Sequence, residues 1–182
     1  MKHVLALIAC TAVLASCDKS SKVDEKDASV TEVAQKVRKA GADQAFIQPG
    51  LWESKVTIDK FEVPGMPADV QQRMKTMMAE QQEHASRNCL TKEDVQRPKE
   101  DFFTGKNNEC RYEHFKMGDG KIDAALQCAG GGMKQTMQMA GTYSPDTYQM
   151  QMSANMQSGE ETQAGMNMQM RVEAKRVGDC KA

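Results

Sequence analysis

Methionine alternates with polar residues through residues 148–170, which read "YQMQMSANMQSGEETQAGMNMQM", and this alternation constrains the fold more than any other feature of the chain. Successive side chains of a β-strand point to opposite faces, so residues two apart share one face. The pattern therefore predicts two antiparallel strands that have a dry methionine face and a wet face of glutamine, serine and asparagine.

The flanking segments predict the register of a longer meander. "TYSPDTY" favours a Pro-Asp turn that pairs Tyr143 with Tyr148 and adds the preceding strand to the sheet. A turn within "SGEETQAG" that pairs Met156 with Met166 would bring Met152 opposite Met170. Under this register the methionines of three strands share one face: Met137, Met139, Met150, Met152, Met156, Met166, Met168 and Met170.

Another hairpin is expected at residues 118–120, "GDG", as a three-residue loop whose last glycine suits a left-handed position. This turn places His114 on the same face as Tyr112 and Cys110. It pairs Cys110 with Cys128, Tyr112 with Leu126, and His114 with Ala124.

Upstream of the meander, the sequence predicts a strand and then a helix. In "FIQPGLWESKVTI", apolar residues alternate with charged or polar ones, as in a strand with one wet face. From about Pro67 to Ala85 the period changes to that of a helix, and its apolar stripe is expected to pack on the sheet. The stripe consists of Val70, Met74, Met77 and Met78.

The N-terminus resembles an export signal. Residues 1–16 contain a short polar head and an apolar run that is too short to cross a bilayer. The run ends in "LASC", which resembles the bacterial lipobox and predicts lipidation at Cys17. A second match at Cys10 leaves too short an apolar core, and a soluble periplasmic form is the competing interpretation. Asp18 resembles an inner-membrane retention signal, which Lys19 beside it weakens, so either membrane remains open.

Residues 17–45 are polar and poor in aromatics, so we expect a lipidated cysteine followed by a flexible tether. Val30, Val33 and Val37 follow Ser29 at helical spacing and favour a short helix there. The folded domain is expected to span residues 46–182.

Charge and cysteine content narrow the class of protein. Removing residues 1–16 takes away one lysine and no acid, so the net charge changes from −1 to −2, and nucleic acid is not an expected partner. Four cysteines then remain besides Cys17, which in an oxidising compartment predicts two disulfides with three possible connectivities. The 118–120 register favours Cys110 with Cys128 and would leave Cys89 for Cys180, although the turn type alone sets that register.

An ordered set of motifs resembles an uncharacterised bacterial envelope family, domain of unknown function 3617. The motifs are "PGLWE", "VPGMP", a cysteine followed by "LTKEDV", the pair Cys110 and Cys128, "GTYSPDTYQMQM" and "RVGDC". The resemblance covers about residues 46–181. It implies an exported, β-rich domain and supplies no catalytic residues.

The methionines allow two interpretations. Soft thioethers suit Cu(I) or Ag(I), and residues two apart on a strand lie close enough to share an ion. However, the chain after residue 16 has three Leu, three Ile, ten Val and five Phe, so methionine must supply much of the core, and this interpretation is preferred. The candidate metal ligands are Met150, Met152, Met166, Met168 and Met170.

No set of residues in the sequence indicates a particular catalysed reaction. His84 and His114 are the histidines after residue 16, and no carboxylate or thiolate partner is evident for either. The cysteines are expected to be oxidised, so they are not nucleophiles. We therefore predict a non-enzymatic protein that needs no cofactor.

Together these features predict an α+β fold. We expect a curved antiparallel meander of about six or seven strands, with one amphipathic helix on its methionine-rich face and two disulfides. The predicted function is a lipid-anchored envelope protein on the periplasmic side, held to the membrane by its N-terminal lipid, that binds an apolar ligand or an envelope protein. The alternative is Cu(I) or Ag(I) binding by methionine.

Overall fold

The computed structural model of the chain describes residues 22–43, 46–82, 85–96, 110–130, 132–158 and 165–181. The strands within these ranges are β1 (Val23–Ser29), β2 (Gly50–Glu62), β3 (Ser86–Leu90), β4 (Cys110–Gly118), β5 (Lys121–Gly130), β6 (Met133–Tyr143), β7 (Thr147–Ser158) and β8 (Met166–Gly178). The helices are α1 (Val30–Asp43), α2 (Ala68–Gln82) and α3 (Lys92–Gln96).

The eight strands of the described residues form one antiparallel sheet in the order β1-β4-β5-β6-β7-β8-β2-β3. The sheet is open, and its edge strands, β1 and β3, are among its shortest, which limits the unpaired backbone exposed to other chains. The fold is therefore mainly β. The expectation of an α+β fold with six or seven strands is corrected, because the sheet has more strands and the helices are a minor part.

The segment expected to be a flexible tether is largely folded. Residues 23–43 form β1 and α1, and β1 pairs with β4 along most of its length. The expected domain start at residue 46 is therefore too late, and the folded unit begins by Val23. The long-range pairing with β4 gives this polar segment an order that its composition does not predict.

The expected short helix after Ser29 is confirmed as α1, which begins with a capping box. Ser29 Oγ accepts a hydrogen bond from Glu32 N at 3.2 Å, and the Glu32 carboxylate accepts one from Ser29 N at 2.8 Å. The hydrogen bond from the Ser29 backbone is the main cause that lowers the pKa of Glu32. These bonds satisfy backbone donors that the first turn of a helix leaves unpaired.

The core lies between α1 and the methionine face of the sheet. Val33 of α1 is only 3 % exposed, and Val30, Val37 and Ala40 pack against the same cluster. Tyr112 and Phe115 meet edge to face within it, with ring centroids 5.2 Å apart. The buried members of the cluster are Val23, Ala28, Val33, Cys110, Tyr112, Phe115, Ile122, Ala124, Leu126 and Met139.

The helix α2 does not bury its methionine stripe as expected. Met77 is 61 % exposed and Met74 is also exposed. Polar contacts hold α2 beside β2 instead: Gln71 accepts a hydrogen bond from Val63 N at 3.1 Å, and Lys75 Nζ donates to the Asp59 carbonyl oxygen at 2.9 Å. The helix that covers the core is α1, so the expectation of a single helix packed on the methionine face through the 67–85 stripe is wrong.

The β4–β5 hairpin differs from its expected geometry. Asp119 and Gly120 both have positive φ, at 51° and 70°, and form a two-residue turn between Gly118 and Lys121. This combination is typical of a type I′ hairpin turn rather than the expected three-residue loop. A bulge at residue 113 then shifts the register by one.

Farther from the turn the expected register returns. The pairs Cys110 with Cys128 and Tyr112 with Leu126 are both present. Beyond β5, the predicted pairs Tyr143 with Tyr148, Met139 with Met152, Met152 with Met170, and Met156 with Met166 are also confirmed.

Two disulfides close the domain. Cys110 joins Cys128 across β4 and β5, with Cα atoms 4.0 Å apart. Cys89 at β3 joins Cys180 just after β8, with Cα atoms 5.5 Å apart. The expected connectivity is therefore confirmed, and the second bond ties the sheet edge to the C-terminal segment.

Residues 1–21, including Cys10 and Cys17, lie outside the described residues. The expected export signal and lipidation site therefore stay predictions. Within the part of the chain that the structure describes, no helix is long and apolar enough to cross a bilayer.

Candidate functional site

The methionine face is built by strict alternation along β6, β7 and β8. The sheet register places Met139 beside Met152 and Met152 beside Met170, so one row of thioethers crosses three strands. A neighbouring row contains Met137, Ala154 and Met168. Residues that are directly opposite on adjacent strands have Cβ atoms roughly 4.5–5.5 Å apart, so these side chains lie in mutual contact range.

Burial is uneven across this face. Met139 is 4 % exposed and belongs to the core cluster, and Met150 and Met152 pack against that cluster. The methionines nearer β8 remain half-buried: Met156, Met166, Met168 and Met170. The face therefore passes from a filled core under α1 to a partly accessible apolar surface over β7 and β8.

The five candidate metal ligands all lie on this face. Met152 is opposite Met170, but Met150 is opposite Val172 rather than another thioether. Among the described residues, no group of three His, Cys, Asp or Glu side chains is placed to hold a metal ion. Any ion bound here would therefore depend on thioethers, which restricts the choice to soft monovalent metals.

The opposite face carries an open polar groove of about 480 Å³. It follows one row of residues from β4 across to β2. Its exposed amides and carboxylates are Asp59, Asp123, Gln138, Gln151 and Gln169. At one end His114 Nε2 lies 2.6 Å from Asp123 Oδ1, and near the other Arg171 donates to Asp59 at 2.9 Å. The groove is lined by Asp59, His114, Asp123, Ala124, Gln138, Met139, Ala140, Gln151, Met152, Ser153, Gln169 and Met170. Four of these, Ala124, Met139, Met152 and Met170, belong to the methionine-face row and alternate with the polar residues along the same strands.

The position of His114 corrects an expectation. Because of the bulge at residue 113, His114 lies opposite Ala125, and Ala124, the residue expected opposite His114, pairs with Phe115. His114 therefore lies on the polar face, away from Tyr112 and Cys110, where it contacts Asp123. The absence of a carboxylate partner was also a wrong expectation. The second histidine, His84, lies outside the described residues.

Tyrosines mark the apolar side of the sheet. Burial raises the pKa of Tyr112 to about 12, and burial also raises the pKa of Tyr148. Tyr148 stacks on Trp52 with ring centroids 5.6 Å apart. The buried side of β2, β4 and β7 is thus an apolar environment that disfavours charge.

A family model described as "Protein of unknown function (DUF3617)" matches residues 47–180. The chain belongs to this family. The resemblance drawn from the ordered motifs is thereby confirmed, and β2 to β8 of the DUF3617 domain lie within the match, whereas β1 and α1 precede it. No curated protein and no solved structure matches the chain.

Two features of the site were missed from the sequence. The polar groove had no signal, because its glutamines look like an ordinary wet face. The other is the incorporation of β1 and α1 into the domain. The helix α1 itself is predicted, and Ser29 and Glu32 have the spacing of a capping box that indicates a stable helix start.

Proposed function

We propose that this DUF3617 protein is a non-enzymatic envelope lipoprotein that binds an apolar ligand on its methionine face. The supporting observation is the half-buried set of methionines on β7 and β8, next to a core that α1 has already filled. Flexible thioether side chains repack around ligands of different shape, as rigid branched side chains do not.

A fluorescent apolar probe tests this site. Met168→Gln places an amide in the half-buried face, and we expect it to weaken binding of N-phenyl-1-naphthylamine about tenfold, because an unpaired amide in an apolar site costs about 1–3 kcal/mol. Met77→Gln is the matched control, since Met77 is exposed on α2 and should leave probe binding unchanged.

Thermal unfolding of both variants establishes that they are folded. Equal probe affinity in Met168→Gln, Met77→Gln and the wild-type protein would exclude the methionine face as the binding surface. Probe binding that does not saturate would also exclude a specific binding surface on the methionine face.

Soft-metal binding is the second candidate function. The row that contains Met139, Met152 and Met170 brings thioethers from three neighbouring strands together and supports it. In an anaerobic titration, Cu(I) binding should saturate at low stoichiometry and disappear in the Met139/Met152/Met170→Leu triple variant, which removes every thioether of that row. A triple variant that folds normally and binds Cu(I) like the wild-type protein would eliminate this candidate.

The proposed location is the periplasmic side of the cell envelope, with the protein held by acyl chains on Cys17. Each buried methylene of an acyl chain contributes about 0.8 kcal/mol, so several chains together anchor a protein durably. Cys17→Ala should release the protein into the soluble periplasmic fraction. Continued membrane association of that variant would argue against lipidation, and fractionation of the wild-type protein distinguishes inner from outer membrane.

A further inference from the structure

The folded unit begins very close to the proposed anchor. β1 starts at Val23, and only five peptide links separate Cys17 from Lys22. A fully extended chain advances at most 3.3–3.6 Å per residue, so this segment spans roughly 17 Å or less. The tether expected from the sequence would have been several times longer.

The first described residues fix which end of the sheet lies near the anchor. Val23 pairs with Met117 near the C-terminal end of β4, and Lys22 Nζ lies 2.8 Å from Asp119 Oδ2. A Cβ atom on Gly118 would come within 2.8 Å of the Lys22 side chain, so the chain passes directly over the β4–β5 turn.

The β6–β7 turn belongs to the same end. Tyr143 N donates to the Gly120 carbonyl oxygen at 2.8 Å, which joins the two turns. Gln48 N donates to the Pro145 carbonyl oxygen, also at 2.8 Å, so the segment before β2 lies against this end as well. We define the turn end as Lys22, the turn at Asp119 and Gly120, and the turn at residues 144–146.

We propose that the turn end faces the bilayer that holds the lipid on Cys17. The inference rests on the proposed anchoring, because the short connection restricts the turn end to within roughly 17 Å of the acylated cysteine. Met156 and Met166 lie at the far end of β7 and β8. Met156 lies nine residues beyond Thr147 along β7, or roughly 30 Å, so this orientation places that part of the methionine face at the end of the sheet far from the membrane.

Energy transfer from tryptophan to dansyl-labelled lipid headgroups tests the orientation. Lys121→Trp places the donor next to the turn end, and Lys134→Trp places it near the other end of the same hairpin pair. Lys134 is opposite Ala129, which is eight residues from Lys121, or roughly 26 Å along β5. Both lysines are exposed and both variants remove one positive charge, so they are matched.

The full lipidated protein is reconstituted in phosphatidylethanolamine and phosphatidylglycerol vesicles, and the transfer from Trp52 in the wild-type protein is subtracted. We expect transfer from Lys121→Trp to exceed that from Lys134→Trp by at least about threefold, since transfer falls steeply with distance. Equal transfer, or stronger transfer from Lys134→Trp, overturns the orientation.

Two further measurements separate this inference from the proposed anchoring. Absence of acyl mass on Cys17, together with failure to float with vesicles, overturns both. Flotation with equal transfer overturns the orientation alone. A twenty-residue Gly/Ser insertion between Ser20 and Ser21 should abolish the difference, and a difference that persists would show that the short connection is not its cause.

Discussion

Single residues in this protein have effects that reach beyond their own contacts. The extra residue at position 113 reverses the face of His114 and puts Phe115 into the core beside Tyr112. Because strand side chains alternate with a period of two, a shift of one residue moves every later side chain to the other face until it is compensated. The two-residue turn at Asp119 and Gly120 compensates for this shift, so Ile122 and Ala124 of β5 lie on the buried side.

Tyr112 gives a prediction at this scale, because burial raises its pKa from the ordinary 10.0 to about 12. A folded-state pKa above the unfolded value means that the contribution to stability is complete below about pH 10 and lost as the pH rises toward 12. When the pH is raised from about 8 to about 11.5, the free energy of unfolding of Tyr112→Phe should therefore fall by about 2 kcal/mol less than that of the wild-type protein.

Urea unfolding at both pH values measures this difference. Tyr143→Phe is the control, since Tyr143 is less buried and the Gly120 backbone hydrogen bond opposes the effect of burial on its pKa. If the wild-type protein and Tyr112→Phe lose the same free energy of unfolding at alkaline pH, ionisation of the Tyr112 hydroxyl does not contribute to that loss.

The β1–α1 unit is joined to the rest of the domain by strand pairing with β4, by apolar packing and by an ion pair. Arg111 Nε donates to Asp27 Oδ1 at 3.0 Å. Asp27 has a positive φ and lies beside the bulge of β4, because its neighbours Lys26 and Ala28 pair with His114 and Tyr112. Val33 and Ala28 are buried in the main cluster. The unit therefore covers both the hydrogen-bonding edge of β4 and part of the apolar face.

The capping box of α1 yields a prediction for this unit. Ser29→Ala should lower the free energy of unfolding by about 1 kcal/mol, because it removes the side-chain partner of Glu32 N. Thr91→Ala removes the same kind of bond, from Asp94 N to Thr91 Oγ1, at the five-residue helix α3. That variant should cost less, because α3 has little packing to lose.

Chemical denaturation of the two variants gives the comparison. If Ser29→Ala has no effect, α1 does not contribute to the cooperative unfolding of the domain.

The two disulfides of the domain constrain very different lengths of chain. Cys89 and Cys180 are 91 residues apart, whereas Cys110 and Cys128 are 18 apart and already sit opposite each other in the β4–β5 ladder. The entropy of closing a loop in the unfolded chain rises with its length.

Replacing Cys89 and Cys180 by alanine should therefore cost about 5 kcal/mol, and replacing Cys110 and Cys128 about 3 kcal/mol. Urea midpoints of the two double variants under oxidising conditions test the order. A larger loss from the Cys110/Cys128 pair would mean that packing around buried Cys110, rather than chain entropy, dominates.

Much of the sheet could be predicted from local patterns. The register of β6, β7 and β8 follows from the Pro-Asp turn and the period of the methionines, and it is correct pair by pair. The expected β4–β5 register is right at the disulfide and wrong at His114. The Asp119-Gly120 pair does carry the sequence signature of a type I′ turn, but the bulge at residue 113 has no comparable local signal. The shared methionine face is predictable as well, because residues two apart on a strand lie on one face.

Local sequence was enough to predict the strand period, the Pro-Asp turn, the disulfide-forming cysteines and the family, since each depends on neighbours in the chain or on an ordered set of motifs. Long-range packing, in contrast, sets the first residue of the folded unit, the helix that covers the core and the side of the sheet that carries the groove. Those features depend on contacts such as Asp27 with Arg111, which lie 84 residues apart, and local sequence does not encode which distant surfaces meet.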